Sequence, residues 1–100
     1  MNIKFDRNDK ELTVRLEGIL DTSSAPVLED MLGTALDGVE LLIFDLEKLE
    51  YISSAGLRVI LGASQKMDEV DGGEMVIRNV TKPVQEVFKV TGFNKAFSIE

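Results

Sequence analysis

Alternating hydrophobic and polar positions predict a pair of strands at the start of the chain. Apolar side chains occupy every second position in residues 2–6 and again in residues 12–16, which is typical of strands with one face in water. The charged turn 7–10 between them indicates an antiparallel hairpin. Gly18 is expected to end the second strand.

The middle of the chain has a different pattern. Residues 41–44 are all apolar, which suits a strand covered on both faces, although a buried helical segment would have the same pattern. Residues 45–50 are mostly charged and are expected to form a loop in solvent. Ser53 or Ser54 then begins a helix that runs to about Glu69, because either serine can cap a helix N-terminus.

Two further helices are predicted from amphipathic stripes and from the residues at their ends. One covers residues 25–37, with Pro26 in its first turn and Gly38 after its last. The other is bounded by Thr81 as its N-cap and by Gly92. The remaining strands are expected at residues 75–77 and 96–99.

The resulting order, β-β-α-β-α-β-α-β, predicts a single α/β domain over residues 1–100. It has three main helices and a mixed, mostly parallel sheet of four or five strands. In such sheets, sites form where loops leave the carboxyl ends of strands. The loops 19–25 and 47–54 follow strands that we expect to be neighbours, so Asp21 and Ser54 are expected at the same rim of the sheet.

Composition narrows the possible chemistry. The chain contains no Cys and no His, which excludes disulfides, thiolate metal sites and a histidine base. Its formal net charge of −7 disfavours partnership with nucleic acid or with an anionic membrane. The sequence has neither a membrane-spanning segment nor a signal-peptide core, so a cytoplasmic protein is expected. Met31, Met67 and Met75 lie on apolar stripes and are expected in the core.

The carboxylates give a weak enzymatic signal. Asp21, Asp45, Glu47 and Glu50 could pair for acid–base or metal chemistry, but their spacing matches no metal-binding loop, and acidic loop residues are usually solvated surface. Gly72-Gly73 is not followed by the residues of a phosphate-binding loop. We therefore predict no catalytic residue, no cofactor and no enzyme activity.

Ser53 and Ser54 give the strongest functional signal. A serine at a helix N-terminus suits phosphorylation, because free N–H groups and the helix dipole both favour a dianion there. Plain helix capping is the alternative, although one cap needs only one serine. Arg58 stands one turn beyond Ser54 on the same side of the helix, where it could contact a phosphate or be an ordinary surface arginine.

The segment DLEKLEYISSAGLRVIL, residues 45–61, resembles the signature of STAS domains, specifically of the bacterial anti-sigma factor antagonists. That signature is a hydrophobic strand, an Asp-Leu pair, an aromatic-apolar step and then Asp-Ser-x-Gly-Leu opening a helix. The upstream Gly18-Ile19-Leu20-Asp21 and the later Gly72-Gly73-Glu74-Met75 also resemble family segments. The matching residues in the signature are Asp45-Leu46, Tyr51-Ile52, Ser54-Ala55-Gly56-Leu57 and Val59-Ile60-Leu61.

The resemblance implies a regulator that acts by partner switching. In that family the unphosphorylated antagonist binds an anti-sigma factor, which is a serine kinase with a GHKL-type ATP fold, and so frees the sigma factor. Phosphorylation breaks the complex, and a PP2C-type phosphatase restores it. On this chain the implied phosphorylation site is Ser54, with Ser53 as second choice, and the implied partner-binding residues are Asp21, Thr22, Ser53, Ser54 and Arg58. A monomer or weak dimer is expected.

Two positions depart from the family pattern. Ser53 replaces the family's aspartate, and Arg58 stands where glycine is frequent. The first departure keeps a second function open, that of a constitutive STAS accessory subunit, for instance of a lipid-transporting ABC ATPase, without phosphorylation. Identifying the protein that co-purifies with the chain, a GHKL kinase or an ABC ATPase, would separate the two functions.

Overall fold

The computed structural model describes all residues from 1 to 100. It contains a five-stranded sheet and three helices in the predicted order. The strands are β1 (Asn2–Asn8), β2 (Glu11–Leu20), β3 (Leu41–Ile52), β4 (Glu74–Arg78) and β5 (Ser98–Ile99). The helices are α1 (Ala25–Ala35), α2 (Ser54–Asp68) and α3 (Lys82–Thr91), and a short 3₁₀ turn, Phe93–Lys95, follows α3. None of the helices combines the length and apolarity needed to cross a membrane.

The strands lie side by side in the order in which they occur in the chain. β1 pairs antiparallel with β2, as predicted, and the other pairs are parallel. Because every parallel crossover steps in the same direction, right-handed connections place all the helices on one face of the sheet. Leu12, Val14 and Leu16 of β2 are buried beneath them, whereas the opposite face, which we call the open face, carries mostly polar side chains.

The prediction of a solvent loop at residues 45–50 is wrong, because this segment is the second half of β3. Leu46, Leu49 and Ile52 are fully buried, while the charged residues between them are exposed. Register shifts against β2 change the phase of the strand, so that a three-residue spacing keeps its leucines facing inward. The sequence indicates a loop there because the simple alternation of a strand is interrupted.

The prediction that Gly18 ends β2 is also wrong, since the strand continues to Leu20. Gly18 has a φ of +104°, a conformation that glycine adopts with little strain, and one of the register shifts directly follows it. Gly18 therefore redirects β2 without ending it. As a result, β2 and β3 end together.

The methionine prediction is correct for Met67 but wrong for Met31, which is 38% exposed. Met31 lies on the side of α1 that faces away from α2, and no other helix packs against α1 to cover it. Met75 is only partly buried against the core. Thr81 occupies the N-cap of α3 but makes no capping bond; its hydroxyl donates instead to the Leu49 carbonyl at 2.9 Å, which ties α3 to β3.

Gly56 marks the point where α2 meets the ends of β2 and β3. A Cβ atom there would lie 2.7 Å from Leu20 Cγ and 2.9 Å from Ile52 Cγ1. We predict that Gly56→Ala lowers the free energy of unfolding by about 1–3 kcal/mol, because overpacking forces core side chains out of their rotamers. Urea unfolding measures the change.

Gly62→Ala is the matched control in the same helix. No atom lies within 4 Å of a Cβ built on Gly62, so alanine is expected to stabilise the protein by up to ~1 kcal/mol through its higher helix propensity. Equal effects of the two substitutions would contradict close packing at Gly56.

Candidate functional site

The ends of β2 and β3 form a rim on which the predicted site residues meet. Leu20 and Ile52 are the last paired residues of the two strands. The next backbone N–H, that of Ser53, donates to the Leu20 carbonyl at 2.8 Å. The loop after β2 and the start of α2 therefore begin side by side, which brings Asp21 close to the two serines, as expected for adjacent parallel strands.

Ser53 is the residue that caps α2. It has an extended backbone, and its side-chain oxygen accepts a hydrogen bond from the Gly56 N–H at 3.4 Å. Its carbonyl accepts from the Leu57 N–H at 3.0 Å. Ser53 is partly buried, so both its position and its hydroxyl serve the start of the helix.

Ser54 is the first residue of α2 and is exposed. Its hydroxyl takes part in no hydrogen bond within the chain, and the first turn of the helix carries no acidic side chain. The backbone N–H groups of a first turn lack helical partners and create a positive potential. Ser54 is thus an accessible hydroxyl in surroundings that favour an anion.

Arg58 lies one turn beyond Ser54 on α2 and is exposed. The four ion pairs in the chain do not include it. Residues at this spacing are neighbours on a helix surface, so the guanidinium can reach a group attached to Ser54 without leaving another partner.

Asp21 organises the loop between β2 and α1. Its Oδ1 accepts the Ser23 hydroxyl at 2.8 Å and the N–H groups of Ser23 at 3.0 Å and Ser24 at 3.1 Å. The Ser24 hydroxyl closes the loop, because it accepts from the Asp21 N–H and donates to the Ile19 carbonyl, both at 2.9 Å. Thr22 is exposed on this loop. Asp21 therefore shapes the rim beside Ser54.

The same hydrogen bonds fix the charge of Asp21. The Ser23 hydroxyl contributes most to lowering the pKa of the Asp21 carboxyl below its usual value, followed by the N–H groups of Ser24 and Ser23. Each of these donors favours the carboxylate over the neutral acid. The rim consequently carries a fixed negative charge next to the start of α2.

The other candidate carboxylates lie elsewhere. Asp45 is on the open face, where its oxygens approach Arg15 Nε at 3.7 Å and Asn79 Nδ2 at 3.1 Å. Glu47 and Glu50 are exposed on β3. No group of three or more acidic side chains is close enough to hold a metal ion, so these residues do not form a cluster with Asp21.

Two apolar residues beside the rim were missed in the sequence. Ile19 and Tyr51 are directly paired between β2 and β3, and each is 48% exposed. They form a small exposed apolar patch on the open face, where Ile19 of β2 lies two residues before Asp21 and Tyr51 of β3 lies two residues before Ser53. The sequence pattern assigns Ile19 to a loop and Tyr51 to the segment that resembles STAS domains. Only the register shifts of these strands bring the two side chains onto one face.

Acid titration tests the role of Asp21. Because its folded pKa lies below the usual value of 3.8, its stabilising effect is complete above that pH and is lost as the pH falls further, through the folded pKa. We predict that Asp21→Asn destabilises the protein at neutral pH. As the pH falls, the difference in stability between the variant and the wild type should become smaller. Asp30→Asn, at an exposed helical position, is the control. Thermal unfolding at a series of pH values measures both, and a destabilisation of Asp21→Asn that is constant down to strong acid would contradict the prediction.

Comparison with known proteins agrees with this architecture. The STAS domain model matches residues 2–100. A putative anti-sigma factor antagonist, BtrV of Bordetella bronchiseptica, is 36% identical over 99% of this chain and 85% of its own length. The anti-sigma-B factor antagonist of Bacillus subtilis is 33% identical over 99% of this chain and 92% of its own.

A solved structure has the same fold. It is that of the Bacillus cell fate determinant SpoIIAA in the phosphorylated form, which is 20% identical and aligns with a TM-score of 0.77 over 99% of this chain and 91% of its own. Together with the match of the domain model to residues 2–100, the sequence relatives establish that this chain is a STAS domain and belongs to the family of anti-sigma factor antagonists.

Proposed function

We propose that this protein binds an anti-sigma factor through the rim at the ends of β2 and β3, and that phosphorylation of Ser54 breaks the complex. The observation that carries the proposal is the contrast between the two serines. Ser53 caps α2, whereas the hydroxyl of Ser54 is exposed and uncommitted. A phosphate on Ser54 therefore leaves the start of the helix intact.

The fold itself tolerates this modification. A phosphate adds about −1.5 to −2 charges near neutral pH. At Ser54 it meets a helix N-terminus without acidic side chains in its first turn, and Arg58 lies one turn away. These features favour the dianion, so no rearrangement of the protein is needed for phosphorylation to act.

The effect on a bound partner is the opposite. A phosphate within a packed interface loses its hydration. A bound partner would also have to neutralise this phosphate in addition to the ionised Asp21 on the same rim. Each ~1.4 kcal/mol lost changes affinity tenfold. A penalty of a few kcal/mol is therefore sufficient to release the partner.

The named relatives support the same cycle. Two are called antagonists of anti-sigma factors, and SpoIIAA has been solved in a phosphorylated form. We propose that the partner is an anti-sigma factor of the GHKL kinase type, which phosphorylates Ser54, and that a PP2C-type phosphatase reverses the reaction in the cytoplasm. The chain itself acts as a binding module, without an enzymatic role.

Ser53 in place of the family's aspartate fits this proposal. Serine and aspartate are both good N-caps, so the replacement removes a charge but preserves the helix start. The hydroxyl of Ser53 is partly buried and engaged with the Gly56 N–H, which makes it a poorer acceptor than Ser54. The alternative of a constitutive accessory subunit, which the loss of that aspartate keeps open, is an outcome of the experiment below.

Intact mass and site mapping test the switch. After incubation with ATP and the GHKL-type anti-sigma kinases of the same organism, we expect one added phosphate that is absent in Ser54→Ala. Ser53→Ala is the matched control: it should keep the phosphate while losing about 1 kcal/mol of stability from the missing cap.

Two results would contradict the proposal. Loss of the phosphate only in Ser53→Ala would move the modified residue by one position. Absence of phosphate with every kinase, together with a stable complex with an ABC ATPase, would establish the constitutive accessory subunit instead.

Ile19 and Tyr51 provide a second test, on binding alone. Their exposed apolar surface adjoins the rim, and tyrosine is enriched among residues that dominate interface energies. We predict that Tyr51→Ser weakens the complex with the anti-sigma factor by roughly tenfold or more, and Ile19→Ser somewhat less, as measured by calorimetry with unphosphorylated protein.

Val90→Ser is the control for this measurement. Val90 is 85% exposed but lies on α3, away from the rim, so its loss should leave affinity unchanged. If Tyr51→Ser and Val90→Ser bind equally well, the interface does not extend onto the open face.

A further inference from the structure

We propose that β1 is a homodimer interface, in which β1 of one copy pairs antiparallel with β1 of a second copy to continue the sheet. The proposal concerns the edge of the sheet and does not rest on the function of the rim. A second copy of this chain is the partner that the charges and apolar residues of this edge fit.

β1 leaves a long strand edge without a partner. It bonds to β2 along Asn2–Asn8, and no strand lies on its other side. The edge is seven residues long, whereas the opposite edge strand, β5, has two. Unpaired N–H and C=O groups along such an edge can accept another strand.

The charges on β1 are unevenly satisfied. On the open face, Lys4 of β1 lies directly opposite Arg15 of β2 in the strand register. The neighbour of Lys4 on β2 therefore has the same charge. Lys4 takes part in none of the ion pairs in the chain. Asp6 has one partner, Arg15, at 3.5 Å, and its side chain is 68% exposed. Lys4, a cation without an ionic partner, thus lies two residues along β1 from the accessible carboxylate of Asp6.

These charges select one register for self-pairing. Antiparallel pairing centred on Phe5 places Lys4 opposite Asp6 of the second copy, and symmetry repeats this attraction. Pairing centred on Lys4 or on Asp6 would instead place Lys4 opposite Lys4 or Asp6 opposite Asp6. Like charges directly opposite each other are destabilising. A shift by a single residue would put the apolar sides of the two copies on opposite faces of the sheet.

The helix side of the same edge is apolar except at Arg7, whose guanidinium donates to the Ala35 carbonyl at 3.2 Å. Ile3 and Phe5 are only partly buried against the core. Val27 and Met31 of α1 are 53% and 38% exposed. The other side of α1 lines a groove against α2, so Val27 and Met31 lie on the side of α1 that faces away from α2. Met1 precedes the strand and is 46% exposed. In the register centred on Phe5, the two Phe5 side chains would lie opposite each other and leave water, and Ile3 would lie opposite Arg7 of the second copy, whose aliphatic stem can cover it.

The rim stays free in such a dimer. The pairing uses the outer edge of β1, whereas Asp21 and Ser54 lie at the carboxyl ends of β2 and β3. Antiparallel pairing of β1 reverses β2 in the second copy, so the two rims would lie at opposite ends of the continuous sheet. The dimer would therefore present two separate rims.

Sedimentation equilibrium with a charge exchange tests the register. We expect the wild type to dimerise with a Kd below about 1 mM. Lys4→Asp and Asp6→Lys should each weaken the dimer by roughly tenfold or more, because each turns both attractive pairs into repulsive ones. The double variant Lys4→Asp/Asp6→Lys restores opposite charges and should recover the dimer.

Lys95→Asp and Asp68→Lys, both exposed and away from β1, are controls that change the net charge by the same amounts. They should leave the dimer unchanged. A wild type that stays monomeric at about 1 mM, or a double variant no tighter than the single ones, would overturn the proposal.

Cross-linking provides an independent test. The chain has no cysteine, so Phe5→Cys introduces one thiol. In the proposed register the two Cα atoms at this position are about 4.5–5.5 Å apart, within the range of a disulfide. Phe5→Cys should oxidise to a covalent dimer, and the matched Ile3→Cys should not. Equal cross-linking of both variants would overturn the register. If Phe5→Cys destabilises the protein, the charge-exchange variants still test the same register with Phe5 intact.

Discussion

The parallel pairing of β2 and β3 up to Leu20 and Ile52 is the constraint on which the site depends. It places the Ser53 N–H against the Leu20 carbonyl and brings the start of α2 onto the strand ends. Gly56 fills that junction, since a Cβ would lie 2.7 Å from Leu20 Cγ. The loop of Asp21 and the hydroxyl of Ser54 are close to each other because the two strands end at the same level.

That shared end requires irregular strands. β2 and β3 shift register twice, and Gly18, with a φ of +104°, adopts a backbone conformation that other residues rarely take. The shifts keep Leu46, Leu49 and Ile52 buried while Ile19 and Tyr51 come together on the open face. Core packing and the composition of the rim are therefore two results of the same bulged pairing.

The sequence predicted the element order, the hairpin and the shared rim because these depend on local pattern and on connection rules. It failed where a tertiary contact decides the outcome. Residues 45–50 form a strand because β2 continues beside them. Met31 is exposed because α1 has a neighbouring helix on one side only. The sequence left open which of the two serines caps α2, and only backbone geometry assigns the cap to Ser53.

This division between the serines explains how the proposed phosphorylation of Ser54 would regulate a small domain without a conformational change. A switch that changes the fold must overcome the packing that stabilises it, whereas a charge added at Ser54 acts at the surface and meets a helix N-terminus that favours it. In the proposed switch, the free-energy difference between the two states would reside in the interface, where a desolvated phosphate is costly. Since the rim is built from strand ends held by the core, we expect its geometry to be the same in the two proposed states. In the proposed switch, a partner would therefore distinguish the two states only by the charge and bulk at the first residue of α2.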